Sequence, residues 1–179
     1  LEIKIVDEQG KVVPRGQLGE LCVRGYSVML GYWEDHEKSG EVIDSARWMH
    51  TGDIAEMDEA GFVKIKGRIK DVVIRGGENL FPKEIEDFLY THPDVSDVQV
   101  IGLPDARYGE ELCACIILHE HHEITEESIR QYCAEHISHN KVPRYVRFFN
   151  EFPMTASGKA QKFKLQEFMR NELDLKEIA

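Results

Sequence analysis

The sequence predicts an α+β protein: a small β-rich, barrel-like subdomain over residues 1–69, then a mixed α/β domain over residues 70–179 with a short central sheet flanked by helices. Three observations carry this expectation. Up to about Arg68 the apolar residues come in short alternating runs separated by turn residues, the period of half-buried strands. From Asp71 onward, apolar strands alternate with stretches whose apolar residues recur at helical spacing. The balance of 42% hydrophobic and 31% charged residues over 179 positions, with Gly and Pro dispersed, gives enough core for one ordinary domain or two small ones.

In order along the chain, EIKIVD, ELCVRG and IAEMDEAGFVKIKGR read as strands, the last folded back on itself at Asp58-Glu59-Ala60-Gly61. Asp71 to Arg75 is a short apolar strand, and Gly76-Gly77 after it marks tight backbone geometry. Pro82 opens a helix where its missing N–H costs little, with Ile85, Phe88 and Leu89 on one face, and His92-Pro93 ends it. Val95 to Ile101 and Leu112 to Leu118 read as strands. A second helix starts near Thr125, which can cap it, with a stripe of Ile129, Tyr132, Cys133, His136 and Ile137. A strand at Tyr145 to Phe149 leads to a loop and then to a last helix from near Phe163, carrying Leu165, Phe168, Met169 and Leu173.

Composition narrows function. With a formal net charge of -11, no excess of Lys or Arg favours nucleic acid or an anionic membrane surface, although a few local cations can still hold small anions. No apolar run approaches the roughly 20 residues of a transmembrane helix, and no signal peptide opens the chain. A start at Leu1, directly in a strand, suggests a piece of a longer protein. The four cysteines have neither C-x-x-C spacing nor the density of a disulfide scaffold, which points to a reducing compartment, cytoplasm or equally an organelle matrix. Cys113 and Cys115, two apart in an apolar strand, read as core. The HEHH cluster of His119 to His122 reads as a solvated turn, and His136 as a core-edge residue. No metal ligands are expected in these residues.

The segment PMTASGKAQK, Pro153 to Lys162, contains a Gly-Lys pair that suggests a phosphate-binding loop. The positions such a loop needs most are wrong: Pro153 stands where a glycine should be, without an N–H, and Ala160 lacks the hydroxyl that would hold magnesium. What remains is a lysine on a Gly/Ser/Thr loop. Three other features share the chain with it: Thr51-Gly52-Asp53 in HTGD, Gly67-Arg68-Ile69-Lys70-Asp71, and RGGEN from Arg75 to Asn79. An aspartate is a natural bidentate acceptor for a ribose diol, and an arginine a fork for nucleotide oxygens. Each feature alone is weak, and Asp53 taken alone reads first as a residue that caps or solvates its loop.

In this order and spacing the four features resemble the adenylate-forming superfamily of acyl-CoA synthetases, peptide-synthetase adenylation domains and luciferases, over Leu1 to about Leu175 and including GELCVRGYSVMLGYW. RGGENLFPKEIED, HPDVSDVQVIGLPD, YGEELCACI and ISHNKVPRY look most like the medium- and long-chain fatty acyl-CoA synthetases. The resemblance implies that Asp53 and Arg68 bind ATP and then the acyl-adenylate, and that Lys70 is the hinge of a swinging C-terminal domain. It implies that Gly76 and Gly77 line the way for CoA, and that Lys159 is the catalytic lysine of adenylation. The family's arginine three residues after that lysine is here Lys162. ATP and CoA are then substrates, with Mg2+ expected in the whole enzyme, and the phosphate loop, adenine motif and acyl pocket belong to a large N-terminal region of the same chain. The resemblance makes residues 1–69 the last β subdomain of that region and residues 70–179 the mobile domain, inactive alone, with the Lys159 loop mobile. Two alternatives stand beside it: an adenylation unit serving a carrier protein, and a non-catalytic α/β binding module.

Overall fold

In the computed structural model, which describes residues 1–175, the stretch up to Lys70 is an antiparallel meander. Its strands β1 (Glu2–Val6), β2 (Gly19–Arg24), β3 (Met49–Met57) and β4 (Val63–Arg68) lie side by side in chain order. Asp58 makes the β3–β4 turn: its backbone carbonyl accepts from the Gly61 amide at 3.0 Å and its side chain from the Phe62 amide at 2.8 Å. A short helix, α1 (His36–Val42), sits between β2 and β3. Asp35 caps it by accepting from the Lys38 amide, but none of its residues is buried, so no apolar stripe announces it in the sequence. The core of this unit is thin: Ile5, Val6, Cys22, Ile43 and Ala55.

The chain divides after Lys70, and the second compact unit begins at Asp71. It contains β5 (Val73–Arg75), β6 (Glu78–Leu80), α2 (Pro82–Leu89), β7 (Val95–Asp105), β8 (Gly109–Leu118), α3 (Glu126–His136), β9 (Tyr145–Phe148) and α4 (Lys162–Glu172). The sheet runs β6-β5-β8-β7, with β9 joined in parallel to β8. The chain is thus α+β, as its alternation of patterns predicts. Strand β8 is its axis, because Leu112 through Ile116 are all fully buried. Period-2 geometry sends Leu112, Ala114 and Ile116 toward Ile85 and Leu89 of α2 and Ile129 and Cys133 of α3, and Cys113 and Cys115 toward Leu165 and Met169 of α4. A strand covered on both faces reads as a continuous apolar run, which is what LCACIIL is. All four cysteines are free and buried.

The helix ends follow from their residues. Pro82 opens α2 at the first turn, and Thr125 and Ser128 close a reciprocal capping box on α3. His136 is exposed rather than core-edge; it lies against Tyr132, ring centroids 4.7 Å apart, with Nδ1 2.8 Å from the Tyr132 carbonyl. The HEHH turn is solvated, with His122 Nδ1 bonded to Asp94 Oδ1 at 2.5 Å.

Strand β7 forms an edge of the sheet, where unpaired backbone groups invite foreign strands. Side chains cover it. Glu86 Oε1 accepts from the Val100 amide at 2.8 Å, Lys162 Nζ donates to the Val100 carbonyl at 3.0 Å, and Gln166 Nε2 donates to the Gly102 carbonyl at 3.2 Å. Lys162 and Glu86 are themselves paired at 2.6 Å, with side-chain exposures of only 20% and 14%. Lys162→Met keeps the stem and leaves Glu86 a half-satisfied buried charge, so it is expected to cost about 2 kcal/mol. Denaturant unfolding checks this, and an unchanged midpoint would mean the pair contributes nothing.

Candidate functional site

Asp53 on β3 and Arg68 on β4 are register partners across the ladder, and Asp53 Oδ1 pairs with Arg68 Nε at 2.9 Å. Arg68 also donates from Nη1 to the Thr51 carbonyl at 3.5 Å. The pairing suits both residues to one polar ligand: the guanidinium holds the carboxylate in place while retaining further N–H groups of its own.

The strand that presents Asp53 is not regular. Between Glu20 and Cys22 of β2 the partner jumps from Ile54 to His50, so Leu21 alone faces Thr51, Gly52 and Asp53. Bulges of this kind bend a strand and re-aim a side chain. Gly52 adopts φ +71 with open space where a Cβ would sit, so the conformation and not crowding demands glycine. Thr51 Oγ1 donates to the Leu21 carbonyl at 2.8 Å and accepts from the Asp53 amide at 3.1 Å. Glu20 holds the other side, accepting from His50 Nδ1 at 2.6 Å through Oε2 and from the Gly52 amide at 3.1 Å through Oε1.

Glu20, Cys22 and His50 are also the one group of potential metal ligands among the described residues, with ligand atoms within 4.8 Å. Their chemistry is that of a hydrogen-bonded cluster. Both Glu20 oxygens are engaged, Cys22 Sγ lies 3.5 Å from His50 Nδ1, and burial followed by the Glu20 charge pushes the Cys22 thiol up to about 11, away from the thiolate a metal needs.

Lys70 lies in the 3-10 turn Ile69–Asp71 and is exposed. Gly76 and Gly77 form the two-residue connection between β5 and β6, closed by the Arg75–Glu78 pair, with φ +59 and +86. Positive φ at both central residues is the mark of a primed hairpin turn and is sufficient reason for two glycines. Tyr108 lies against the turn: its carbonyl accepts from the Gly76 amide at 2.8 Å, and a Cβ on Gly76 would approach its ring to 3.3 Å. The Arg75 and Arg107 guanidinium carbons stand 4.6 and 5.0 Å from that ring's centroid. Behind the turn, Arg75 Nε is 2.8 Å from the carboxylate of Glu111, whose side chain is only 2% exposed. Arg144 joins Asp105 at 2.6 Å and approaches Glu111 at 3.9 Å.

Lys159 sits on a different element. Its loop is not a slack tether as the Ala-Ser-Gly run suggests; it closes as a hairpin turn. Met154 and Ala160 form an antiparallel bridge, the Thr155 amide donates to the Lys159 carbonyl at 2.8 Å, the Gly158 amide donates to the Thr155 carbonyl at 2.9 Å, and Thr155 Oγ1 accepts from the Lys159 amide at 3.0 Å. Lys159 itself is exposed, and its Nζ has no hydrogen-bond or ion-pair partner among the described residues. Lys162, three residues on, is held by Glu86 and the Val100 carbonyl. The two lysines therefore stand in different surroundings, one committed to partners and one with none among the described residues. The structure brings Asp53 and Arg68 together in the first unit and sets Gly76, Gly77 and Lys159 on separate turns of the second. Sequence reading missed Glu20, His50, Tyr108 and Glu111. Glu20 and His50 lie inside the quoted GELCVRG and HTGD segments, but only the cross-strand register joins them.

Two family models match parts of the chain. The model of the AMP-binding enzyme C-terminal domain matches residues 84–159, and that of the AMP-binding enzyme matches residues 1–33. The chain belongs to the AMP-binding, adenylate-forming enzyme family. It is 54% identical, over 94% of its length, to a mitochondrial medium-chain acyl-CoA ligase, ACSF2, of Macaca fascicularis. It is 51% identical, over 93%, to the putative acyl-CoA synthetase YngI of Bacillus subtilis. The chain spans 27% and 30% of those two relatives. Among solved structures, the anthranilate CoA ligase AuaEII in complex with anthranoyl-AMP matches with TM-score 0.88 and 37% identity, over 97% of this chain and 34% of that one. No described helix is long and apolar enough to cross a membrane.

Proposed function

We propose that these residues are the C-terminal part of an ATP-dependent fatty acyl-CoA ligase, comprising the last β subdomain of its large AMP-binding region, residues 1–69, and its mobile C-terminal domain, residues 70–179. The observation that carries the acyl-CoA branch is the 54% identity over nearly the whole chain to a medium-chain acyl-CoA ligase. In the first half-reaction a fatty carboxylate oxygen attacks the α-phosphorus of ATP and the bond to pyrophosphate breaks, giving the acyl-adenylate. In the second, the CoA thiolate sulfur attacks the acyl carbonyl and AMP leaves.

Each residue then has a task suited to its surroundings. Asp53, fixed by Arg68, accepts from the two ribose hydroxyls, and Arg68 contacts the ribose and phosphate. Lys159 enters between carboxylate and phosphate, where two anions repel and charge collects on phosphoryl oxygens; an ammonium there stabilises the transition state without transferring a proton. Its lack of a partner among the described residues of its own domain supports that task. Lys70 absorbs the backbone change as the C-terminal domain swings, which any exposed non-glycine residue can do. The Gly76–Gly77 turn leaves room for the pantetheine arm of CoA. Among the described residues Mg2+ finds no suitable donor set, since the one convergent group there, Glu20, Cys22 and His50, offers a thiol and an imidazole where that ion prefers oxygen. The four buried free cysteines support a reducing compartment, cytoplasm or organelle matrix.

The test is product formation. The full-length chain with ATP, CoA and a medium-chain fatty acid is expected to release AMP and pyrophosphate and to form the thioester, whereas residues 1–179 alone are expected to turn over nothing. Turnover by residues 1–179 would overturn the proposed division of the site. Acyl transfer to a carrier protein in place of CoA would favour the carrier-dependent alternative.

A further inference from the structure

We infer that Glu20 and His50 form a positioning pair that sets the turn carrying Asp53, an inference that rests on the reading of Asp53 as the ribose ligand. A bulge in which one residue faces three is not held by ladder bonds, so its shape is set by whatever replaces them. Three side chains do so, one of them Arg68 through the Thr51 carbonyl. Thr51 ties the bulge to the Leu21 carbonyl and to the Asp53 amide. Glu20, a bulge residue's neighbour on the opposite strand, grips the Gly52 amide at 3.1 Å, one residue before Asp53.

A carboxylate on a short strand has rotamers to choose among, and an unrestrained Glu20 would keep the Gly52 bond only part of the time. His50 removes that freedom. Its Nδ1 lies 2.6 Å from Glu20 Oε2, which fixes Nδ1–H as the donor and leaves Oε1 aimed at Gly52. Cys22, buried and held as the neutral thiol, backs the imidazole at 3.5 Å. The pair is partly shielded, with side-chain exposures of 31% for His50 and 21% for Glu20, so its bonds are less diluted by water than a surface pair's. Gly52 at φ +71 has no side chain to hold the turn itself. Glu20 thus acts on nucleotide through the Gly52 amide and the direction of the Asp53 carboxylate, without touching it.

Such a role has a kinetic signature. A ribose contact made equally in ground and transition states changes the KM for ATP more than kcat and leaves the fatty-acid KM alone. In the full-length enzyme Glu20→Ala and His50→Ala are each expected to raise the KM for ATP about tenfold, equivalent to one lost hydrogen bond to a charged group, with the fatty-acid KM within about twofold. His50→Asn is the discriminating variant, because the asparagine amide N–H stands where imidazole Nδ1–H does; it is expected to restore the KM for ATP to within about threefold of the parent. Asp53→Ala separates the two levels of the argument. If Asp53→Ala leaves the KM for ATP unchanged, the ribose reading itself fails. If it raises that KM while Glu20→Ala and His50→Ala do not, the positioning pair falls and the ribose reading stands. Equal rises in the KM values for ATP and fatty acid in Glu20→Ala, with a lowered melting temperature and no rescue by His50→Asn, would make Glu20 a structural residue and overturn the inference.

Discussion

Replacing Lys159 by alanine in the full-length chain is expected to slow acyl-adenylate formation by about 10²–10³-fold, the cost of removing one preorganised charge from a developing oxyanion, while thioester formation from supplied acyl-adenylate stays within about threefold. The asymmetry follows from the chemistry. Only the first half-reaction brings carboxylate and phosphate anions together, and only there does an ammonium offset their repulsion. The substitution is also mild for the fold. The hairpin around Lys159 is closed by its backbone and by Thr155 Oγ1, and the side chain is exposed with no partner among the described residues, so nothing that shapes the turn is lost. Lys162→Met should behave in the opposite way, lowering stability while sparing the ratio of the two half-reactions, because Lys162 is committed to Glu86 and the Val100 carbonyl. Rapid-quench measurement of each half-reaction decides the matter. Equal losses in both for Lys159→Ala would remove the lysine from adenylation chemistry.

The parts of this molecule legible in its sequence are those fixed by local rules. The run LCACIIL betrays a strand buried on both faces; Pro82 and Thr125 mark the starts of α2 and α3; Asp58 to Gly61 makes a turn. What escaped was short or non-local. Helix α1 has no buried residue to give it a stripe, and β6 is three residues long, too short for alternation to show. The limits of β7 and β8 were hidden because their outer ends, Gly102–Asp105 and Gly109–Glu111, carry Gly, Pro and acidic residues that read as loop, yet they pair in continuous register. The same applies to the site. HTGD looks like a simple glycine turn, but its shape depends on Glu20, thirty positions upstream of His50. A pattern along the chain says which residue types are present; the register across strands says which of them meet.

Glu111 shows how much can rest on such a meeting. It is the one charged residue counted as buried among those described, at 1% exposure, and lies on the face of β8 that also carries Cys113 and Cys115. A carboxylate there is tolerable only if paired, and Arg75 supplies the pair at 2.8 Å with Arg144 at 3.9 Å. Glu111→Ala strips Arg75, itself 18% exposed, of its counter-charge and opens a cavity. The expected loss is about 3 kcal/mol, below the full penalty for a buried pair because the guanidinium retains some access to water. That corresponds to a fall on the order of 10 °C in the melting temperature of a unit this size. Glu111→Gln keeps the volume and one acceptor and should lose about half as much. Acid should act on the same network through Asp105. The amides of Tyr108 and Arg107, together with Arg144, hold its carboxyl below the ordinary aspartate value, so the stability it lends is present above about pH 4 and lost as pH falls through its lower folded value. Because Arg75 enters the Gly76–Gly77 turn and stacks on Tyr108, Glu111→Ala should also weaken the second half-reaction more than the first under conditions where the protein remains folded. Thermal melts of the three proteins and half-reaction rates test both parts: an unchanged melting temperature in Glu111→Ala would show that Arg75 needs no partner, and an unchanged ratio of half-reactions would show that the turn keeps its shape without it.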